Sequence, residues 1–141
     1  MKILIEGTNS TITFGNNVRI SASHNLPTNI NALESTNITI GNRCLFSNSV
    51  EIHSSDYHGI YNYEGVRINN AKDIVIEDDV WVGLRAIILK GSIIKHGTVI
   101  GAGSLVSNKF DVGNVVLAGN PARIIKNNIV WNLERKNKME P

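Results

Sequence analysis

From Ile76 onward an apolar residue returns at every sixth position: Ile76, Val82, Ile88, Ile94, Ile100, Val106, Val112, Ala118 and Ile124. A second column follows four residues after each of the first eight, at Val80, Ala86, Ser92, Thr98, Ser104, Phe110, Val116 and Ala122. All but Phe110 are small or β-branched. Glycine recurs one place after the aliphatic, at Gly83, Gly101, Gly113 and Gly119. A step of six has the wrong period for an amphipathic helix and is too short for a helix–turn unit, but it fits one short strand plus a turn. Three such sides close a triangular coil of about 18 residues, and stacked coils hydrogen-bond about 4.8 Å apart. The aliphatic points into the prism, the small residue fits the corner, and glycine tolerates the backbone angles that corners demand. Each coil buries its face only against its neighbours, so stability grows with repeat number.

Upstream the register persists in fragments. Phe14 and Ile20 are one step apart, with Val18 in the corner column; Ile40, Phe46 and Ile52 form another run, with Cys44 and Val50 as corners. Ile40 and Ile76 are two coils' worth of residues apart, so the phase survives the gap between them. Positions 58, 64 and 70, where aliphatics are due, hold His58, Glu64 and Asn70, so residues 58–73 are expected to leave the prism as an extended loop. Phe14 and Ile40 are out of phase, which makes residues 21–37 a second expected excursion. The stretch 125–138 is expected to form a short terminal helix or tail, with Glu134 to Pro141 solvated. A β-helix over residues 1–130 and a tail over 131–141 is the expected division.

Composition narrows the class. Of 141 residues 42% are hydrophobic, enough for a continuous core. Net charge is +2, without the basic stripe and interleaved aromatics of a nucleic-acid binder. A few cations aimed at a phosphorylated ligand suit that charge. No apolar run approaches the roughly 20 residues of a membrane span, and the N-terminus lacks a signal-peptide pattern, so a soluble cytoplasmic protein is expected. The single cysteine, Cys44, excludes an intramolecular disulfide and a cysteine metal cage. Beside Leu45 and Phe46 it reads as a buried, inert thiol.

The register breaks most sharply at Ile52-His53-Ser54-Ser55-Asp56-Tyr57-His58-Gly59-Ile60-Tyr61. Local rules fail most often where function overrides them. Asp56 stands where a corner residue is due and His58 where an aliphatic is due, so both enter the space beside the prism wall. His53 follows an inward Ile52 and should face outward or toward a neighbouring subunit. His96 lies in a regular turn and His24 in an unplaced loop. For His58 the competing reading is structural, as a bridge between loop and coil.

The run Ser55-Asp56-Tyr57-His58-Gly59-Ile60-Tyr61, followed by Gly65-Val66-Arg67-Ile68-Asn69 and Ala71-Lys72-Asp73-Ile74, resembles the sugar and polysaccharide O-acetyltransferases of the hexapeptide-repeat family. So do Val80-Trp81-Val82-Gly83, Ile88-Leu89-Lys90-Gly91, Ile100-Gly101-Ala102-Gly103-Ser104 and the closing Ala118-Gly119-Asn120-Pro121-Ala122-Arg123-Ile124-Ile125. The resemblance covers residues 38–131; residues 1–37 match nothing specific, and the helical N-terminal segment of the maltose-type relatives is absent. It implies an all-β fold, a single-stranded left-handed parallel β-helix. Spacing alone does not set the hand, and a right-handed β-helix, with longer and less regular coils, is the alternative.

Chemistry follows from the same resemblance. It implies transfer of acetyl from acetyl-CoA, as co-substrate, to a hydroxyl of a sugar or surface polysaccharide precursor. In the family the histidine matching His58 is the general base, a role that suits an imidazole at neutral pH, and the hydroxyl attacks the thioester directly. Asp56 is placed either to hold the imidazole tautomer or to cap the turn through an Asx bond. A backbone N–H near Gly83 is the implied oxyanion donor. The pantetheine arm would pass Trp81, Gly83, Leu84 and Ala102, with Ser107, Asn108, Lys109, Pro121 and Arg123 toward the nucleotide end. Relatives often carry Thr-Lys where this chain has Ser107-Asn108, which displaces the cation to Lys109. Trp81 is equally a wall residue at a subunit contact, and Pro121-Ala122-Arg123 equally a structural corner. Tyr57, Tyr61 and Arg67 are the candidate acceptor contacts. Family members are usually homotrimers with each site between two prisms, so base and coenzyme contacts would come partly from different chains. No metal is implied.

Three other readings stand beside this one. Acetyl transfer to an amino sugar would use the same site. A γ-class carbonic anhydrase shares the fold, and His53 and His58 show its His-x4-His spacing. Zinc there needs three imidazoles, however, and the positions one coil away hold Ser35, Ala71, Ile40 and Ile76. A non-catalytic scaffold would bind no coenzyme at all.

Overall fold

Short strands with a turn at each end are what a six-residue step dictates. The computed structural model describes residues 1–21, Ser23 and residues 25–139, and holds fifteen such strands and no helix among them. His24 lies outside the described residues. The first coil is β1 (Lys2–Ile5), β2 (Thr11–Phe14) and β3 (Arg19–Ile20); the second is β4 (Asn29–Ala32), β5 (Asn37–Ile40) and β6 (Leu45–Phe46). β7 (Glu51–His53), β8 (Ile74–Ile76) and β9 (Trp81–Val82) make the third, and β10 (Ile87–Leu89), β11 (Ile93–Ile94) and β12 (Val99–Ile100) the fourth. β13 (Leu105–Val106) and β14 (Val116–Gly119) form the fifth, which β15 (Ala122–Lys126) closes as the antiparallel partner of β14. Stacked in parallel, equivalent strands build three sheets: β1-β4-β7-β10-β13, β2-β5-β8-β11 and β3-β6-β9-β12-β14, the last edged by β15.

The inward column from Ile76 to Val106 is at most 1% exposed at every member. Full burial of such a side chain contributes roughly 1.5–3 kcal/mol, here only because the next coil covers it. Val80, Ala86, Ser92, Thr98 and Ser104 fill the corners, all buried. Ile52 pairs with Ile88 and Ile40 with Ile76, so the third coil closes as though the segment between His53 and Ile74 were absent. The expected extended loop is there.

Three expectations need correction. The six-residue column ends at Val106: Val112 is 52% exposed and Ile124 39%. Val115 and Leu117 fill the interior instead, because Leu117, not Ala118, pairs with Ile100. Between β13 and β14 the chain makes only an isolated bridge, Lys109 to Ile93, so no strand enforces the spacing on that side. The second excursion is shorter than expected. β4 and β5 lie within residues 29–40, with Ile30 and Ala32 wholly buried, and Thr28 ahead of them is buried and accepts the Lys2 N–H, so residues 28–37 belong to the prism. The terminal helix is absent: Ile125 and Lys126 end β15, and residues 127–139 carry no regular structure.

Thr98 Oγ1 is buried in its corner with no hydrogen-bond partner among the described residues. Thr98→Val keeps the shape and removes the unsatisfied hydroxyl, so chemical unfolding should show a gain of about 1 kcal/mol. A loss of that size would mean that the hydroxyl is bonded in solution.

Candidate active site

The loop after β7 is tied down from both ends. Arg67 donates to Glu34 through Nη1 (2.5 Å) and Nη2 (3.1 Å), and Ser55 Oγ donates to the same carboxylate. Arg67 first, then Ser55, bring the Glu34 pKa down to about 2. Lys90, directly after β10, pairs with Asp56 and donates to the Asn69 carbonyl at 2.9 Å. That ammonium, more than any other group, holds Asp56 below the usual carboxylate range. Buried Asn69 bridges the two limbs: its Nδ2 donates to Asp56 Oδ2 (3.0 Å) and to the His58 carbonyl (2.8 Å), and its Oδ1 accepts the Ile60 N–H (2.7 Å). Beyond these anchors the loop projects as a small hairpin that leaves Ile60, Tyr61, Tyr63, Val66 and Ile68 exposed.

Alternation along β7 turns Ile52 inward and Glu51 and His53 outward. His53 Nε2 lies 2.8 Å from Glu51 Oε2, and Nδ1 lies 2.7 Å from the Tyr57 hydroxyl. A carboxylate only accepts, so Nε2 carries the proton and Nδ1 accepts from the phenol. Asn31 Nδ2 donates to the Tyr57 oxygen at 2.7 Å. Tyr57 itself adopts φ 64°, and its N–H donates to Ser55 Oγ at 2.9 Å. After this sharp turn His58 is exposed, with no side-chain partner among the described residues.

Several expected roles change. Asp56 neither holds the His58 ring nor caps the turn; it is committed to Lys90 and Asn69, and Ser55 does the capping. Tyr57 hydrogen-bonds His53, and Arg67 pairs with Glu34. Tyr61 stands on the exposed hairpin. Cys44 is 1% exposed, and burial pushes its thiol up to about 11, which leaves it inert at neutral pH.

The expected coenzyme contacts divide into two groups. Gly83, Leu84, Ala102 and Pro121 follow the ends of β9, β12 and β14, stacked along one corner, and Trp81 faces outward from β9 at 37% exposure. A Cβ on Gly83 would sit 2.6 Å from the Ile100 carbonyl oxygen, so the next coil admits only glycine there. The Gly83 N–H donates to that same carbonyl at 2.8 Å and is no oxyanion donor. The following amide, Leu84, meets no acceptor among the described residues. Ser107, Asn108 and Lys109 are exposed after β13, at the opposite edge of the first sheet, where the His58 loop departs. Three residues of β10 separate the edges, about 10 Å at 3.3 Å per residue. Arg123 is exposed on β15, and its Nη1 donates only to the Ala122 carbonyl (3.1 Å) among the described residues. No group of three or more His, Cys, Asp or Glu side chains among the described residues could hold a metal ion.

Glu34, Asn69 and Lys90, which fix the loop, were invisible as site residues in the sequence, because their partners lie far along the chain. Trp131 was also missed: its indole packs on Trp81 with ring centroids 5.9 Å apart.

No family model matches the chain. Over 97 residues, 67% of its length, it is 40% identical to a polysialic acid O-acetyltransferase of Escherichia coli O1:K1, of which it spans 31%. It is similar to a solved polysialic acid O-acetyltransferase (TM-score 0.74, 32% identity, 98% of this chain and 66% of that one). A hexapeptide-repeat acetyltransferase of Vibrio cholerae O1 biovar eltor, solved with acetyl-coenzyme A, has a TM-score of 0.55 at 28% identity, covering 89% of this chain and 70% of that one. The chain thus spans about a third of the curated relative's length and two thirds of the solved one's. These likenesses settle the hand of the prism: it is a left-handed β-helix.

Because its pKa is depressed, the Glu34 pair contributes stability that is complete above the ordinary value of 4.5 and is lost as pH falls through about 2. Arg67→Met should therefore be less stable than the parent at neutral pH and converge with it near pH 2 in urea unfolding. An equal gap at both pH values would exclude the ion pair as the cause.

Proposed function

The chain belongs to the hexapeptide-repeat, left-handed β-helix acetyltransferases, and from that premise we propose that it transfers an acetyl group from acetyl-coenzyme A to a hydroxyl of a sugar or surface polysaccharide, with His58 as general base. One observation carries the assignment of the base: a loop pinned by two ion pairs presents an imidazole whose ring nitrogens meet no partner among the described residues. His53, the neighbouring candidate, has both nitrogens engaged by Glu51 and Tyr57.

The acceptor hydroxyl gives its proton to His58 as its oxygen attacks the thioester carbonyl carbon. The amide of Leu84, which meets no acceptor among the described residues, is suited to donate to the resulting oxyanion. Collapse breaks the carbon–sulfur bond, and the imidazolium returns the proton to the leaving thiolate. No protein nucleophile is needed, in keeping with the inert Cys44.

Two chains side by side would complete the site. The Gly83–Ala102 corner and the His58 edge bound the same sheet from opposite sides, so a coenzyme arm along the corner of one prism meets the His58 loop of the next. The exposed apolar hairpin of Ile60, Tyr61, Tyr63, Val66 and Ile68 suits contact with a second copy, and a closed trimer leaves no open interface. The acceptor then lies by the loop, with Ser107, Asn108 and Lys109 of that edge beside it rather than at the nucleotide. A cytoplasmic location belongs to this reading, since acetyl-CoA is supplied there.

His58→Ala should keep its melting temperature and coenzyme affinity but lose on the order of 10²–10⁴-fold in kcat, read by coenzyme release against a panel of sugars, nucleotide sugars and polysaccharides. Undiminished turnover in the variant would remove His58 from the role.

A further inference from the structure

The last described residues turn back along the prism. One corner, between the β2 and β3 sheets, is a ladder in which Arg43, Asp79, Gly97 and Asn114 N–H groups donate to Asn16, Asn42, Asp78 and His96 carbonyls in turn. Ile129 adds another rung: its N–H donates to the Asn114 carbonyl at 2.9 Å, and Asn114 Nδ2 donates back to the Ile129 carbonyl at 3.2 Å. Two residues later the Trp131 indole N–H donates to the Asp79 carbonyl at 2.6 Å, across 52 residues of sequence. The strap so pinned lays the Trp131 ring against Trp81, with planes inclined at 46°.

Trp81 makes only one side-chain hydrogen bond among the described residues. The residue is 37% exposed, and its indole N–H reaches Ser47 Oγ only at 3.5 Å, the limit of a hydrogen bond. A pocket of about 550 Å³ opens beside Trp131, between strap and coils, so the strap lies over the prism without being packed into its core. An exposed indole on a two-residue strand would otherwise sample several rotamers. An aromatic neighbour anchored by a short hydrogen bond selects one.

We infer that Trp131 is a positioning residue, which fixes the Trp81 indole in the orientation that walls the coenzyme arm. The inference rests on the proposed role of Trp81 as a coenzyme contact. It makes the C-terminal strap part of the coenzyme site without touching the reacting atoms. The effect should therefore fall on coenzyme binding and spare the chemical step.

These are the chain's only two tryptophans, so their coupling can be read directly. Far-ultraviolet circular dichroism of the full chain should show an exciton couplet that vanishes in Trp131→Phe and in Trp131→Ala. Calorimetric titration with coenzyme A should give a Kd raised up to about tenfold in Trp131→Ala and by a smaller factor in Trp131→Phe, which retains a ring. The KM for acetyl-CoA should rise in step, while kcat at saturation and its pH profile stay as in the parent. Parental Kd and KM in a folded Trp131→Ala, or a fall in kcat at unchanged KM, would overturn the inference. If Trp131→Ala does not fold, Trp131→Phe decides by the same criteria. Failure of the parent chain to bind coenzyme A, or binding that leaves tryptophan emission unchanged, would instead bring down the coenzyme role of Trp81 and the inference with it.

Discussion

Strands of two to five residues can bury nothing alone; they do so here because an equivalent strand lies directly above and below. Stacking aligns Ile40 on Ile76 and Ile76 on Ile94, and the ladder between the same strands satisfies their backbone groups. Everything else is subordinate to keeping that alignment. Insertions are tolerated only where the chain returns to the column it left, as it does between His53 and Ile74. A long excursion from a rigid wall is a natural place for chemistry, since the loop can vary while the wall holds its two ends.

That loop is anchored by ion pairs and hydrogen bonds more than by packing. Few of its side chains are buried, but Asp56 and Arg67 each reach back to the prism, and Asn69 ties outgoing and returning limbs together. The sharp turn at Tyr57, held by His53 and Asn31, then decides where His58 points. Polar residues beside the proposed base thus hold the turn that carries it.

How much of this was legible in sequence depends on what kind of constraint acts. Inward and corner residues from Ile76 to Val106 were legible because a repeated step reports side-chain direction. The step lost its meaning past Val106, where no strand enforces it on one side, and Val115 and Leu117 fill the interior where Val112 and Ala118 were expected. Residues 29–37 looked irregular because the extra residues ahead of Asn29 hid a coil that was otherwise intact. His58 stood out as a polar residue in an aliphatic slot. The partners of Asp56, Tyr57 and Arg67 did not, because contacts between residues 34, 26 and 33 places apart leave no local trace. Trp131 was read as part of a tail for the same reason, its anchor lying at Asp79.

The central claim is that one prism supplies the base and its neighbour the coenzyme wall, and mixing two inactive chains tests it most directly. A His58→Ala chain is to be co-refolded with a chain carrying Ala102→Trp, which blocks the coenzyme corner but leaves His58 intact. Mixed assemblies then contain some sites with both halves unaltered, and turnover should reappear that neither variant has alone. Mixed assemblies as inactive as their parents would contradict the account and place both halves of the site on one chain.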